Sequence, residues 1–589
     1  MKRTNKYKNR SLKRWITVLL LAFVCSHFHL SAQDISQIGK SDPLIISGAL
    51  GTSNTWYHST GYNYASPFQS TVWANLNISI YGFAMPFSLY YTNSDFSFNY
   101  PQFNFRFSPT YKNWHMFIGQ GTMGFSSYVM NTSVNGFGLE YNDKKLRVGF
   151  FYGRIRKAIN DDPDDLDARH PQYKRIGWGA KIGYGSGKHY VDLYFLRAYD
   201  VSTSIDERWR ESISPQSNLV VGIRGATQPL KWMTLTANFA TSAFTSDIHA
   251  PKVEDGSVTD FDGVFSPRYS STMKFAGDLA MNLNFKPIKA AVFYRIIQPD
   301  YQTLGTNYMS NNYQSIGLNL NTRLLKKINL NGSFSAQEDN LSNKQLYTNR
   351  GFVYSANAST RFKKTQLSLR YNGYLQDQAD GSSRVNDTTK VSRIMHSIGA
   401  SVSRNWQTTG LSHSLAVSAG FNKNKNLNKF ATKLTDVKTI SGGVNYSLLV
   451  EPWHTDFSAA INHQQSRGYQ RKYSSDILAL TASRSFFEEN PLTVSATLST
   501  CYNKMAGIRE NMSLGGDIQA NYSFKKVHNF GLSASIHRSN DVNITSNQDM
   551  YNVMETQVGF NYTYTFSLLH IKRNAEKADK TKKIKKNKQ

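Results

Sequence analysis

Cysteine is almost missing from this chain: there are two in 589 residues, Cys25 and Cys501. Cys25 lies in a leader read below as removable, and bulky Phe23 and Val24 before it exclude a lipoprotein site. One thiol then remains, so no internal disulfide forms. Long hydrophobic runs are equally scarce. Beyond Trp15–Leu30 nothing approaches the roughly eighteen apolar residues of a spanning helix, which excludes a helical membrane protein. Charged residues make up only 18% of the chain, few for a surface that meets bulk water. Neither HExxH nor GxSxG occurs, and the histidines show no paired metal-ligand spacing. The chain is therefore read as a non-enzyme with no cofactor.

What is present is an alternation. Ile328, Leu330, Gly332, Phe334 and Ala336 interleave with Asn329, Asn331, Ser333, Ser335 and Gln337. Successive side chains of a strand face opposite sides, so this segment has one apolar face and one hydroxyl and amide face. The unit recurs from about Leu44 to Phe566. Apolar sets include Met233/Leu235/Ala237/Phe239, Leu279/Met281/Leu283, Ile316/Leu318/Leu320, Leu415/Val417/Ala419/Phe421 and Leu514/Gly516/Ile518/Ala520/Tyr522. Polar faces of Asn, Ser, Thr, Gln and Gly suit a wet lumen, and dyad repeats of about ten residues mark a transmembrane β-barrel. The fold expected is all-β: an antiparallel up-and-down barrel of about 26 strands, within roughly 24–28, with short periplasmic turns and long extracellular loops. Short connections include Asn142–Lys145, Gly185–Lys188, Gln228–Lys231 and Phe362–Thr365; long ones include Ala158–Gln172, Phe244–Ser271, Gln376–Ser392 and Asn424–Lys438. Aromatics at 13% fit girdles at two interfaces.

Residues 1–32 read as a signal peptide: seven Lys/Arg before Trp15, an apolar core, then Ser31-Ala32-Gln33. Residues 33–43 form a short periplasmic lead, 44–569 the barrel and 570–589 a basic periplasmic tail. The net charge is +28, and half of it sits in the leader and in 572–589, which holds nine Lys/Arg against Glu576 and Asp579. A periplasmic tail makes nucleic acid an improbable partner. A solvated tether near anionic headgroups suits it better.

The segment Gln557-Val558-Gly559-Phe560-Asn561-Tyr562-Thr563-Tyr564-Thr565-Phe566 resembles the terminal β-signal read by the outer-membrane assembly machinery; Gln557, Gly559, Tyr562 and Tyr564 fit that pattern. It departs from it in continuing for about twenty residues beyond the aromatics. The whole chain, with its Ser-Ala-Gln leader end and Tyr/Asn-rich strands, resembles uncharacterised outer-membrane barrels of the Bacteroidota, of porin or secretion-associated style. The resemblance implies the outer membrane of a Gram-negative cell. It also implies a conduit or partner role toward secreted surface proteins or glycans.

A barrel this wide breaches the permeability barrier unless it is filled. About ten residues before the first strand are too few for a plug domain, which argues against TonB-dependent transporters. Lipopolysaccharide-insertion barrels are disfavoured too, since they carry a periplasmic domain and disulfides. The expected plug is the loop Phe244–Ser271 folded inward, or a separate protein. Function is thus read as a gated conduit for a polymer or large solute. The alternative is a surface scaffold that binds a partner through its outer loops.

Lumen-phase charges Arg106, Arg224, Arg295, Arg370, Asp278, Asp456 and Asp517 are the selectivity candidates. An arginine ring would favour anions, whereas mixed pairs would merely brace the wall. Arg404 falls in the lipid phase beside Trp406, where it snorkels. Asp161, Asp162, Asp164, Asp165 and Asp167 crowd one loop. Calcium favours such oxygen clusters, but the glycine turn and distal Glu of an EF-hand are missing, so a solvated turn is preferred. Cys501 shares the polar phase with Ser495, Thr497 and Ser499 and reads as inert.

Overall fold

The computed structural model describes residues 43–61, 67–93, 103–161, 169–253, 264–430, 435–469, 471–543 and 548–571. The leader, the segment up to 42 and the tail from 572 lie outside these residues. Among those described there are 27 strands. The first eight are β1 (Leu44–Ser59), β2 (Phe68–Ile80), β3 (Phe83–Thr92), β4 (Phe103–Phe107), β5 (Thr110–Tyr111), β6 (Trp114–Gly121), β7 (Val134–Asn142) and β8 (Leu146–Arg156). Next come β9 (Arg175–Ser186), β10 (His189–Asp200), β11 (Ser217–Leu230), β12 (Met233–Thr245), β13 (Ser271–Phe285), β14 (Ile288–Ile297), β15 (Tyr313–Leu324) and β16 (Ile328–Asp339). The remainder are β17 (Tyr347–Phe362), β18 (Thr365–Asp380), β19 (Ser392–Thr408), β20 (Leu411–Asn426), β21 (Val437–Val450), β22 (Thr455–Arg467), β23 (Lys472–Phe486), β24 (Leu492–Met505), β25 (Ile508–Phe524), β26 (His528–Asn543) and β27 (Gln548–Ile571).

Neighbours in sequence pair antiparallel throughout, and β27 returns to β1. β4 and β5 share one place between β3 and β6. Pro109, which has no N–H to offer the ladder, separates them; its carbonyl still accepts from Met116 at 2.9 Å. The result is a closed antiparallel barrel of 26 strands with one extra. At the seam the Thr60 amide donates to the Met554 carbonyl at 3.0 Å, Ser53 Oγ to Asn561 Oδ1 at 2.6 Å, and the Tyr57 hydroxyl to Glu555 at 2.7 Å. A separate small unit gathers the described residues 43–46, Ile78–Ala84 and 567–571.

Connections differ between the two ends. One end has turns of two to five residues, several held by left-handed backbone at ordinary side chains: Leu325 and Lys326 (φ 51 and 57) and Lys525 and Lys526 (φ 51 and 58). This backbone twist matches that of flanking antiparallel strands. At the other end most connections are long.

The two faces follow the dyad. Register pairs Leu235 with Met281, Ala237 with Leu279, Leu279 with Tyr294 and Tyr294 with Ile316, so apolar side chains continue strand to strand on the outside. Ile223, Ile316, Ile440, Ile461, Leu498 and Leu514 are all more than two-fifths exposed. In water such a band would be untenable; against hydrocarbon it is required. The opposite phase bears hydroxyl pairs across strands: Ser333–Ser355 at 2.7 Å, Ser368–Ser401 at 2.6 Å, Thr439–Ser466 at 2.8 Å and Thr481–Thr497 at 3.0 Å.

Val444 and Asn445 are adjacent yet face opposite sides. Val444→Arg should lower the folding free energy in lipid vesicles by about 2–4 kcal/mol, and Asn445→Arg by far less. Urea titration reads both, and the reverse order would invert the assigned faces.

Candidate functional site: two loops folded into the lumen

Every buried large apolar residue among those described lies between Phe117 and Leu304. The largest cluster of them is built on a pair of connections at the long-loop end, 122–133 between β6 and β7 and 298–312 between β14 and β15. Both bend inward and pack on the inner face of the wall. Tyr128, Val129 and Met130 from the first, and Tyr301 from the second, meet inward-facing Phe117, Phe151, Tyr194, Leu196, Val220, Ala240, Ala276 and Ile297. Removing Tyr301 fully from water is worth about 1.5–3 kcal/mol by itself.

Hydrogen bonds lock the loops to each other and to the strands. The Tyr301 hydroxyl donates to the Tyr128 carbonyl at 2.6 Å, and Thr303 Oγ1 to the Val129 carbonyl at 2.7 Å. The Asn131 amide donates to the Gly305 carbonyl at 3.0 Å. Ser126 Oγ reaches Asn238 on β12 at 2.7 Å, and the Tyr128 hydroxyl reaches Asp278 on β13 at 2.7 Å. Asn218 on β11 has no exposed surface, and it is satisfied: its amide donates to Ser242 and the Ala243 carbonyl, and its oxygen accepts the Leu304 N–H at 3.0 Å. Burial pushes the Tyr128 phenol up, with help from Asp278, and does the same to Tyr301. Both therefore remain neutral donors across the physiological range.

Charged pairs brace the same sector from within. Arg175 grips Asp200 through both oxygens at 2.8 and 3.1 Å and also donates to Gln216. Lys181 pairs with Glu140, and Arg147 meets Asp192 at 2.7 Å.

The loop Phe244–Ser271, expected to be the inward plug, behaves differently in its described part. Phe265 is buried against Leu219 and Ala243, with Phe195 beside them. Leu219 shares its phase with exposed Val221 and Ile223, so this contact lies on the outside of the wall. Outward-facing Arg197 clasps it, donating to the Val264 carbonyl at 2.6 Å and stacking over Phe265. The reason is chemical: Val264 and Phe265 extend the apolar outer face, whereas the inner face below this loop is already filled.

Of the candidate charges, Asp278 and Arg295 are direct cross-strand partners on β13 and β14, under Tyr128. Arg224 on β11 stands opposite Asp192 and Asn238. The others are scattered round the interior. Arg106 faces Ser88 and Gly119, and Arg370 faces Asn357 and Gly399. Asp456 accepts from Ser447 at 2.9 Å, and Asp517 lies 3.3 Å from His537. No arginine ring forms among them. Arg404 lies over Trp406 with 5.9 Å to the ring centroid. Cys501 donates to Asn503 at 3.5 Å.

Gln557 and Gly559 sit on the inner phase of β27, opposite Ser535 and Ser533. Tyr562 and Tyr564 sit on the outer one, stacked with His528 at 6.2 and 4.7 Å. Asp161 is bound by Arg169 through two guanidinium contacts of 2.7 and 2.8 Å, which hold its carboxyl down at about 2. Asp162, Asp164, Asp165 and Asp167 lie outside the described residues.

No known family matches the chain, and no curated protein does. Among solved structures, OccK9 (OpdG) of Pseudomonas aeruginosa matches with 11% identity and a TM-score of 0.29, over 72% of this chain and 97% of its own. The translocation pore of the P pilus usher PapC matches with 10% identity and a TM-score of 0.35, over 89% of this chain and 100% of its own. OccAB2 of Acinetobacter baumannii gives 10% and 0.28, over 64% and 96%. Likeness at this level assigns neither a family nor a cargo.

Tyr301→Phe leaves the buried Tyr128 carbonyl without its donor, at a cost of about 1–3 kcal/mol. Amide hydrogen exchange in 122–133 should accelerate by roughly tenfold or more while the wall strands stay protected. Unchanged exchange in that loop would remove Tyr301 as its latch.

Proposed function

We propose that the protein is an outer-membrane conduit for a large solute or polymer, with the paired loops 122–133 and 298–312 as its gate. Twenty-six strands about 4.8 Å apart and tilted by about 40° make a wall roughly 160 Å around. Two loops of ordinary length cannot fill such a cross-section. They cover the interior of β6 to β15 and leave that of β16 to β25 lined mainly with exposed or half-exposed polar side chains, with Val353, Met395 and Ile477 among them. The single observation that carries the reading is this one-sided filling: an apolar cluster in one sector, and wet hydroxyl and amide rows in the other.

A sector filled by loops can swing without rupturing the wall, because the ladder is complete beneath it. The bare sector is the path, and a partner protein seated there completes closure at rest. Mixed charges along that lining, Arg370 with Asp456 and Asp517, favour neither ion sign strongly.

Planar-bilayer recording tests the gate. The intact protein should give small, flickering conductance, and replacement of 123–132 by a short Gly-Ser linker should give a larger and steadier one. A salt gradient should produce a reversal potential near zero. Silence from both folded forms would sink the conduit and favour a scaffold that binds partners through its outer loops.

A further inference from the structure

Four cations stand side by side on the outer face of the wall at the long-loop end. Register places Lys423 of β20 directly opposite Lys438 of β21, Lys438 opposite Arg467 of β22, and Arg467 opposite Lys472 of β23. Each lies on the outward phase of its strand. Lys423 continues Val417, Ala419 and Phe421, and Lys438 continues Val444 and Ile440. Arg467 continues Phe457 and Ile461, and Lys472 continues Leu480 and Leu478. No shift of register interrupts these pairings. Lys425, one dyad beyond Lys423, adds a fifth cation.

Like charges directly opposite one another on a sheet repel. Here nothing described on the protein answers them. None of the five side chains has an ion pair or hydrogen-bond partner within the described residues. The acids nearby are engaged elsewhere: Asp476 binds His463 at 2.6 Å, and Asp436 accepts the Asn426 amide at 2.7 Å. His396, opposite Lys423 on β19, is bonded to Tyr371 at 2.9 Å. Lys438, Arg467 and Lys472 are exposed and Lys423 half-exposed.

Position narrows the partner. Lys423 is two residues past Phe421, and Lys438 two residues before Ile440, so this end of the row sits about 7 Å along the strand from the last lipid-facing hydrophobe. That is headgroup depth. Arg467 and Lys472 stand directly beside Lys438, and on their outward phase the polar His463 and Gln465, and Asp476 and Ser474, separate them from Ile461 and Leu478, so this end of the row also lies past the apolar band. A basic row set abreast at the lipid edge matches the phosphates of an anionic lipid headgroup.

We propose that Lys423, Lys438, Arg467 and Lys472 form a binding row for a phosphorylated lipid of the outer leaflet, its phosphates neutralising the four cations. This rests on the reading that puts the long-loop end outside. The row then holds the protein in an ordered annulus of anionic lipid on the side opposite the two packed loops.

Binding in detergent micelles tests the row without depending on orientation or transport. The full chain is titrated with diphosphoryl, monophosphoryl and dephosphorylated lipid A, and bound lipid is counted by native mass spectrometry. Affinity should fall in that order and weaken with added salt. The combined variant Lys423→Gln, Lys438→Gln, Arg467→Gln, Lys472→Gln should lose at least tenfold toward the diphosphoryl form. The all-arginine row (Lys423→Arg, Lys438→Arg, Lys472→Arg) should retain it, as should Lys326→Gln, Lys363→Gln, Lys525→Gln, Lys526→Gln at the short-turn end. Heat-modifiable gel mobility confirms that each variant is folded. Equal binding of the diphosphoryl and dephosphorylated lipids by the unaltered protein would overturn the proposal whether or not a variant folds. So would an equal loss from the short-turn variant. Loss of conductance with binding intact would strike the conduit reading alone.

Discussion

Every backbone N–H and C=O that passes through hydrocarbon must find its partner inside the wall, and this one requirement governs the molecule. An open sheet leaves two unpaired edges, so β27 has to come back to β1. Even the break at Pro109 is absorbed locally, because the carbonyls around it still accept while β4 and β5 divide one place in the ladder. Closure also frees the side chains. With the backbone satisfied independently of sequence, one face of each strand is left to lipid and the other to whatever the lumen needs.

The lumen is used unevenly. From β6 to β15 the wall is backed by a small soluble-like core whose buried members come from two connections and eight strands, with Tyr313 of β15 packed against it. Asn218, buried beside it, is bonded through both its amide nitrogen and its oxygen, as burial demands. From β16 to β25 the inner surface is mainly an exposed lattice of serine, threonine and asparagine, interrupted by Val353, Met395 and Ile477. The same protein is thus a packed domain on one side and a thin shell on the other. The outside is uneven as well: Arg197 and Phe265 fasten one loop over the outer rim of the packed sector, and unpaired cations line the rim of the bare one.

Much of this was legible in the residues. The alternation in Ile328–Gln337 needs no neighbour to be recognised, and the phase of Met233, Leu279 and Ile316 follows from it by counting alone. Arg224, Asp278 and Arg295 were placed on the interior in the same way. The two inward loops were harder to see. Their sign in the sequence is apolar residues where a solvated loop would carry none: Tyr128-Val129-Met130 in one connection and Tyr301 and Leu304 in another. Nothing in either segment names the other as its partner. Val264 and Phe265 offered the same kind of sign, and there the direction of folding, outward and not inward, was open until the occupied inner face was seen.

The basic row illustrates the same divide. Lys423, Lys438, Arg467 and Lys472 lie in separate segments of the chain, each ordinary by itself, and only the pairing of β20 to β23 sets them abreast. The sequence by itself determined the fold class, the two faces and the approximate strand number, because a period of two is a local property of consecutive residues. The tertiary structure alone decided which loops enter the lumen, which charges become neighbours and which half of the interior stays open. Those outcomes depend on contacts between residues far apart in the chain, brought together only when the ladder closes.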